Sequence, residues 1–405
     1  MSSPLGSPRA ASAVGFLYWS GWQAMVPFLA LYATSLGASP ATVGIILGSY
    51  SILALLLSVP AGLLAERIGS GRMMFGGALL GGVSLLLIVY GGGLAGLTIG
   101  LTLLGVSQIM VSIGTQVETI LGASQKDLPR AITQYFFFSS ASQLSGPAIG
   151  AVLVRGAHYS LAFLGAAGLS FLAMLAAAGP ARRPPVRDAV VARPPALETI
   201  TTTLTHRPGA RAGLLVNLAA ELAMAFWASF FPLLLAQRGY GSETIAFLFG
   251  LRATSNTGVR LVMGRITQRL SRTRALVVGL IVTGLSLVAM AAFVPLWGIA
   301  LAVLVFGFSM GLYSTLAAIA VAAGFTADAA GLGVGLRMLA SRIGLIVGPI
   351  VTGLVVQGFG YIAAFVVSAV ICASPALLYA RRSRPSALRA ARERARDAGA
   401  GLPPR

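Results

Sequence analysis

The chain has 405 residues, of which 57 % are hydrophobic and only 10 % are charged, and its mean hydropathy is +0.87. Soluble domains carry about 25 % charged residues, so this composition excludes a water-soluble globular protein and indicates a surface that faces lipid. The formal net charge of +19 would suit a nucleic-acid partner, but its distribution along the chain, described below, has another explanation. The single cysteine, Cys372, excludes an intramolecular disulfide.

Twelve apolar segments of about 20 residues are predicted to cross a membrane as helices. In the first half they are residues 12–36, 41–64, 73–92, 95–118, 132–154 and 159–179. In the second half they are residues 212–236, 243–264, 275–294, 297–323, 331–357 and 360–380. We therefore expect an all-α membrane protein of twelve transmembrane helices in two pseudo-symmetric six-helix halves. The first segment is expected to be retained and not cleaved as a signal peptide.

Two basic stretches interrupt the apolar pattern. Residues 180–210 place several prolines among arginines, as expected of a linker, and the last 25 residues are rich in arginine and alanine. The predicted division is a first bundle over residues 1–179, a linker over 180–210, a second bundle over 211–380 and a basic tail over 381–405.

The positive charge is confined to alternate connections between the predicted helices. The other set of connections contains only Arg155 and Arg238 as basic residues. This asymmetry predicts that both termini and the linker are cytoplasmic, in the cell's inner (plasma) membrane. Contact with anionic lipid headgroups then accounts for the net charge, and no nucleic-acid partner is expected.

The second half of the chain repeats the first at an offset of 202 positions. The segment GLLAERIGSGR at residues 62–72 returns as GRITQRLSRTR at residues 264–274, and Gly105 returns as Gly307. Trp22 returns as Trp227, at an offset of 205. Such repeats are typical of membrane transporters, in which two halves rock about a site held between them.

Residues 62–72 resemble the signature of the loop after the second helix in the major facilitator superfamily. The residues that match are Gly62, Glu66, Arg67, Gly69 and Arg72. Ser70 and Gly71 occupy positions that the superfamily usually fills with basic residues. The resemblance covers essentially the whole chain and implies a monomeric secondary transporter of a small molecule that works by alternating access without a prosthetic group. It also implies that this cluster, joined by Glu118, latches the outward-facing state; the alternative is loop charge that only sets topology.

A proline motif in the fifth predicted helix bears on the direction of transport. Gly146–Pro147 is similar to the Gly-Pro motif of superfamily antiporters, and it returns as Gly348–Pro349. The resemblance implies helix bends that shape the cavity, and it favours export. The arginine that such exporters carry in the fourth helix is absent from this chain.

Ionisable residues lie deep in the predicted helices of the second half. Glu221, Arg252 and Arg342 are each about ten residues into their segments, which at 1.5 Å per residue is roughly 15 Å. Charges at this depth usually face a cavity, and Arg252, Asn256 and Arg260 share one helix face. One hypothesis is that Arg252 and Arg342 bind an anionic group while Glu221 carries a proton. The alternative is that Glu221 pairs with an arginine to hold helices together.

The remaining predicted cavity residues are mostly aromatic or amide side chains of the first half. They are Trp22, Gln23, Tyr50 and Gln108, with Tyr313 in the second half. Each is also compatible with ordinary helix packing. Because Tyr50 and Arg252 are equivalent in the repeat, we expect an aromatic first half and a positive second half.

Two functions remain open from the sequence. The first is proton-coupled export of a small amphipathic organic molecule through Glu221, and the second is symport or exchange of an organic anion bound by Arg252 and Arg342. A receptor or assembly factor is disfavoured, because neither needs charges at the membrane midplane. The two histidines, His158 and His206, fall in predicted loops, and no enzyme activity, metal site or cofactor is predicted.

Overall fold

The computed structural model describes residues 7–123, 127–154, 158–183, 208–323 and 330–399, and these residues are almost wholly helical, without a β-strand. The helices of the first half are α1 (Pro8–Met25), α2 (Leu29–Ser35), α3 (Pro40–Ile68), α4 (Ser70–Tyr90), α5 (Gly93–Leu121), α6 (Leu128–Leu153) and α7 (Ser160–Ala181). Those of the second half are α8 (Pro208–Gln237), α9 (Ser242–Arg269), α10 (Arg272–Ala292), α11 (Leu296–Ala323) and α12 (Ala330–Gly399).

Two of these elements differ from the predicted segments. The first predicted span is two helices, α1 and α2, separated by a turn of 3-10 helix over Val26–Phe28. Pro27 lies in that turn and has no backbone N–H to continue the α-helical pattern. The last two predicted spans lie in α12, which leaves helical geometry at Gly360, where φ is 80°. Glycine adopts that left-handed backbone without a side-chain clash.

Eight described helical segments are long and apolar enough to cross a membrane. Among the described residues, α1, α2, α6 and α9 contain no such segment, and the segment in α12, Leu336–Ala376, covers most of the last two predicted spans. The prediction of an all-α membrane protein is confirmed. The linker lies largely outside the described residues.

Short connections make successive helices run in opposite directions. We call one side of the bundle the linker side; it carries Ser7, Gly69, Gly122, Arg183 and Ser271. The opposite side, the far side, carries Gly37, Gly92, Tyr159, Gly239 and Gly360. Gly69 alone separates α3 from α4, and its φ of 89° explains why glycine stands at this position of the 62–72 motif.

The sequence repeat is visible in the way the helices pack. A Cβ atom at Gly105 of α5 would overlap the carbonyl oxygen of Tyr50 in α3. In the second half, a Cβ at Gly307 of α11 would lie 2.5 Å from the carbonyl oxygen of Arg252 in α9. Small residues allow such close backbone approach between membrane helices. The same pair of helices therefore crosses at equivalent residues in each half.

The glycines of the two Gly-Pro motifs serve the same close packing. Gly146 of α6 lies against Gln23 of α1, and a Cβ at Gly348 of α12 would lie 3.0 Å from the Cβ of Ala225 in α8. Both Pro147 and Pro349 lie within continuous helices.

On the far side the two halves touch through their backbones. Gly44 of α3 packs against the carbonyl oxygen of Pro349, and a Cβ at Gly353 of α12 would lie 2.5 Å from the carbonyl oxygen of Pro40. The side-chain oxygen of Gln357 accepts hydrogen bonds from the backbone N–H of Ala41 (3.2 Å) and from the hydroxyl of Ser39 (3.3 Å). We call this the far-side contact.

Arg238 has a structural role at the far side. Its guanidinium donates to the carbonyl oxygens of Met290 (3.0 Å) and Phe293 (2.7 Å), and also to that of Ala291. These carbonyls end α10 and have no partners within their own helix. Partial burial lowers the pKa of Arg238, but a guanidinium remains charged at neutral pH. One of the few basic residues predicted on this side therefore caps a helix.

Candidate functional site

The two halves meet near the middle of the bundle through Gln108 and Arg342. The guanidinium of Arg342 in α12 donates to the side-chain oxygen of Gln108 in α5 over 3.1 Å. Gln108 is buried, whereas Arg342 is only partly buried. Among the described residues, no carboxylate lies within 4.0 Å of Arg342. Its hydrogen-bond partner is therefore a neutral amide.

Two aromatic rings of the first half adjoin this hydrogen bond. Tyr50 of α3 stacks on Trp22 of α1, with ring centroids 4.5 Å apart and ring planes at 21°. The hydroxyl of Tyr50 lies beside the polar ends of Gln108 and Arg342, yet it is buried without a hydrogen bond. We call Trp22, Tyr50, Gln108 and Arg342 the midplane cluster. The structure brings together four residues that the sequence proposed separately.

Arg252 occupies the equivalent position to Tyr50 in the second half. Its guanidinium lies 5.2 Å from the ring centroid of Trp227, in the range of a cation–π contact. Arg252 is only 5 % exposed, its Nε has no partner, and within the described chain no carboxylate approaches it within 4.0 Å. Trp227 is fully buried and also contacts Phe249, at 4.2 Å between centroids. Arg252 is therefore held inside the second half and is not displayed in an open cavity.

Glu221 pairs with neither arginine that the sequence suggested. Its carboxylate accepts a hydrogen bond from the hydroxyl of Ser341, at 3.2 Å. The amide of Asn217 donates to the same hydroxyl (2.9 Å) and to the carbonyl oxygen of Arg337 (3.3 Å). These bonds join α8 to α12 one residue before Arg342. Sequence reasoning missed Asn217 and Ser341, because polar residues in a membrane helix give no sign of which neighbour they meet.

The contacts described for Tyr313, Asn256 and Arg260 are with residues outside the midplane cluster. Tyr313 is fully buried in the second half and its hydroxyl has no hydrogen bond. The backbone of Asn256 packs on Gly311 of α11. Arg260, on the same face, is exposed and donates to the hydroxyl of Ser140 in the first half, at 3.2 Å.

The predicted latch is centred on Glu118, which is 2 % exposed at the linker side. Its carboxylate accepts hydrogen bonds from the hydroxyl of Ser70 (2.5 Å) and the backbone N–H of Ser7 (2.8 Å). It also forms an ion pair with Arg183, at 3.4 Å. Ser7 is the N-cap of α1 and Ser70 is the first residue of α4, so the carboxylate lies at two helix N-termini, where a negative charge is favourable.

Of the other latch residues, Arg67 and Arg72 are exposed. The contacts of Gly62 and Glu66 lie outside the described part of the structure. Sequence reasoning missed Ser7 and Arg183. The role of Ser70 was indicated in the sequence, because Ser70 is one of the two positions at which the motif departs from the superfamily pattern.

The described residues hold no cluster of three or more histidine, cysteine, aspartate or glutamate side chains that could bind a metal ion. The chemistry available at the midplane is therefore that of a guanidinium, a phenol, an amide and a nearby carboxylate. Such groups bind polar or ionic solutes reversibly.

Comparison with known proteins identifies the family. The model of the Major Facilitator Superfamily matches residues 11–321 and again residues 213–403. The chain belongs to the major facilitator superfamily. The two overlapping matches agree with a chain built from two similar halves. None of the curated proteins matches the chain.

Solved structures of superfamily transporters share the fold. The nucleoside transporter NupG superposes with a TM-score of 0.80 at 13 % identity, covering 92 % of this chain and 99 % of that one. A bacterial homolog of the human lysosomal transporter Spinster, in an inward-facing and unoccupied conformation, gives a TM-score of 0.80 at 14 % identity, covering 95 % and 98 %. A POT peptide transporter gives 0.77 at 13 % identity, covering 93 % and 94 %. At these identities the likeness establishes the fold of a superfamily transporter and leaves the substrate open.

Proposed function

We propose that this protein is a secondary active transporter of small organic anions and that Arg342 binds the anionic group of the substrate. Membership of the superfamily supports transport. The anionic substrate rests on one observation: Arg342 reaches across the boundary between the halves to a neutral amide, at 3.1 Å, with no carboxylate among the described residues within 4.0 Å of it. Glu221 interacts with Arg342 only at longer range.

Electrostatics explains why this arrangement favours an anion. A guanidinium near the membrane midplane is costly unless it is paired or hydrated. Gln108 satisfies one N–H of the five that a guanidinium offers, and it supplies no negative charge. A substrate carboxylate bound bidentately would provide both the charge and the acceptors.

The position of Arg342 suits alternating access. Because Gln108 and Arg342 come from different halves, a substrate that bridges them would couple binding to the relative position of the halves. The far-side contact would close the site on one side and would have to open when the halves rock. From the charge distribution we propose that the linker side, with both termini, is cytoplasmic in the inner membrane.

A second candidate function is proton-coupled export of a small amphipathic molecule, with Glu221 as the proton carrier. The observation that favours it is the hydrogen bond from Ser341 to Glu221, at 3.2 Å, one residue before Arg342. A charged Glu221 would draw Arg342 towards α8, whereas a protonated one would release it for substrate. If the substrate is an anion, the same effect of Glu221 protonation on Arg342 would couple proton movement to anion movement.

We also propose that Glu118 organises the linker-side corner of the first half during this cycle. Its described partners Ser7 and Ser70 lie in that half, and Arg183 lies two residues after its last helix, α7. Any latch between the halves would then act through the exposed Arg67 and Arg72, in a state other than the one described.

Uptake into liposomes tests the anion proposal. Purified protein would be reconstituted and given radiolabelled monocarboxylates, dicarboxylates and cationic amphiphiles, with and without a pH gradient. We expect saturable carboxylate uptake that Arg342→Gln removes and that Arg274→Gln, at an exposed arginine on the linker side, retains. Transport of cationic amphiphiles alone, unaffected by Arg342→Gln, would favour the export alternative and contradict the anion proposal.

A further inference from the structure

We infer that the transported anion is an aromatic carboxylate, with its ring against Trp22 and its carboxylate between Tyr50 and Arg342. This inference rests on the proposed function and specifies its substrate class. It follows from three properties of the midplane cluster: an unpartnered hydroxyl, an excess of hydrogen-bond donors and a partly open aromatic ring.

The hydroxyl of Tyr50 forms no hydrogen bond of normal geometry inside the protein. Tyr50 is 7 % exposed and its oxygen forms no hydrogen bond, although buried hydroxyls are normally hydrogen-bonded. The polar ends of Gln108 and Arg342 adjoin this hydroxyl, and Arg342 already donates to one of the two lone pairs of the Gln108 oxygen. The hydroxyl can therefore donate to a ligand that enters beside Arg342.

The free groups around this point are mainly donors. Arg342 has N–H groups left after its bond to Gln108, and Tyr50 adds one O–H. The complementary ligand group accepts only and carries about one negative charge, since one guanidinium faces it. A carboxylate meets both conditions, whereas a doubly charged phosphate would leave a charge unbalanced.

The equivalent tryptophans of the two halves differ in how far their rings are buried. Trp227 of the second half is fully buried, with Arg252 at 5.2 Å and Phe249 at 4.2 Å from its ring. Trp22 is only partly buried, and its described ring partner is Tyr50. Part of the Trp22 ring is therefore open to a ligand, whereas the ring of Trp227 is covered by protein side chains. A flat ring stacks on such a surface more favourably than a puckered aliphatic ring of the same size.

The test compares phenylacetate with cyclohexylacetate, which differ in aromaticity and little in size. Binding of each to the full-length protein in nanodiscs would be measured by competition with radiolabelled phenylacetate, with butyrate and succinate as aliphatic anions. We expect phenylacetate to bind about 2- to 12-fold more tightly than cyclohexylacetate, which is the range for an aromatic pair. Trp22→Leu should remove this preference while both compounds still bind.

Tyr50→Phe removes the hydroxyl and keeps the ring, so it tests the contribution of the hydroxyl alone. It should weaken both compounds by about 10- to 100-fold, as for a lost hydrogen bond to a charged group, and should leave their ratio unchanged. Trp297→Leu and Tyr90→Phe are matched controls, because these aromatic residues are 71 % and 74 % exposed. Equal melting temperatures would verify that each variant is folded.

The outcomes separate the inference from the proposed function. The aromatic inference is wrong if cyclohexylacetate or the aliphatic anions bind as tightly as phenylacetate. The anion proposal still stands if that binding depends on Arg342. If none of these anions shows Arg342-dependent binding, both are wrong. A ring preference that survives Trp22→Leu also contradicts the assignment of Trp22.

Discussion

Gln108 accepts a hydrogen bond from Arg342, 234 positions away in the sequence, and this 3.1 Å contact joins the two halves of the transporter near the middle of the bundle. The bond can persist only while the halves keep their present relative position. It is therefore a contact that substrate binding or rocking would change, unlike the glycine crossings inside each half.

Gln108→Glu should give Arg342 a permanent counter-ion and so compete with an anionic substrate. We expect carboxylate affinity to fall by more than about 10-fold, since a charged acceptor strengthens such a bond by a factor of about two in energy. Radiolabelled carboxylate binding measures the effect. Gln116→Glu, at an exposed residue two turns along the same helix, is the control, and an equal loss in that variant would contradict a specific role for Gln108.

Glu221→Gln should uncouple transport from protons. The amide can still accept a hydrogen bond from Ser341 but cannot lose a proton. We expect exchange of labelled for unlabelled substrate to continue, while accumulation driven by a pH gradient falls to the level of empty liposomes.

The control for this variant is Glu243→Gln, at an exposed acid in the first turn of α9. Full gradient-driven accumulation in Glu221→Gln would exclude Glu221 as the proton carrier. Retained coupling in Glu221→Gln together with loss in Ser341→Ala would point to a route that does not pass through the carboxylate.

Gly44→Val should open the far-side contact. Its new side chain would collide with the backbone of Pro349, and a rigid backbone cannot move aside as a flexible side chain does. In a Cys372→Ser background, Ser39→Cys would report access from the far side through labelling with a membrane-impermeant maleimide. We expect Gly44→Val to increase the labelling rate and to reduce transport.

Gly168→Val provides the comparison, because no atom lies within 4 Å of a Cβ built at Gly168. Unchanged labelling in Gly44→Val, with normal folding, would mean that the far-side contact does not control access.

Glu118→Gln should destabilise the first half. The change removes a negative charge that lies at two helix N-termini and beside Arg183, and we expect a loss of about 1–3 kcal/mol for a buried hydrogen-bonding group. A lower melting temperature with unchanged Ser39→Cys labelling would agree with a role within one half. A normal melting temperature with altered labelling would instead support the latch that the motif implies.

The sequence repeat predicted the architecture well because the repeated residues lie where helices cross. These residues have the same packing role in both halves. Gly105 and Gly307 mark the same crossing in both halves, and Tyr50 and Arg252 lie at equivalent points beside Trp22 and Trp227. A glycine at a crossing records the approach of two backbones, so its recurrence carries three-dimensional information.

The partners of the charged residues could not be predicted in the same way. Hydropathy defines where a helix crosses but leaves its rotation and tilt undetermined. Glu221 therefore meets Ser341 and not an arginine, and Glu118 meets Ser7, which lies 111 positions away. Arg252, expected to face a cavity, lies on Trp227 because the second half packs its aromatic core around that ring.

Charge selectivity shows whether Arg342 binds the anionic group of the substrate. Counterflow in liposomes would compare a transported carboxylate with its uncharged carboxamide, in the wild type, in Arg342→Lys and in Arg342→Gln. If Arg342 binds this group, we expect a strong carboxylate preference in the wild type, a weaker one in Arg342→Lys, which keeps the charge but loses the bidentate geometry, and none in Arg342→Gln. An undiminished carboxylate preference in a folded Arg342→Gln protein would contradict this role of Arg342.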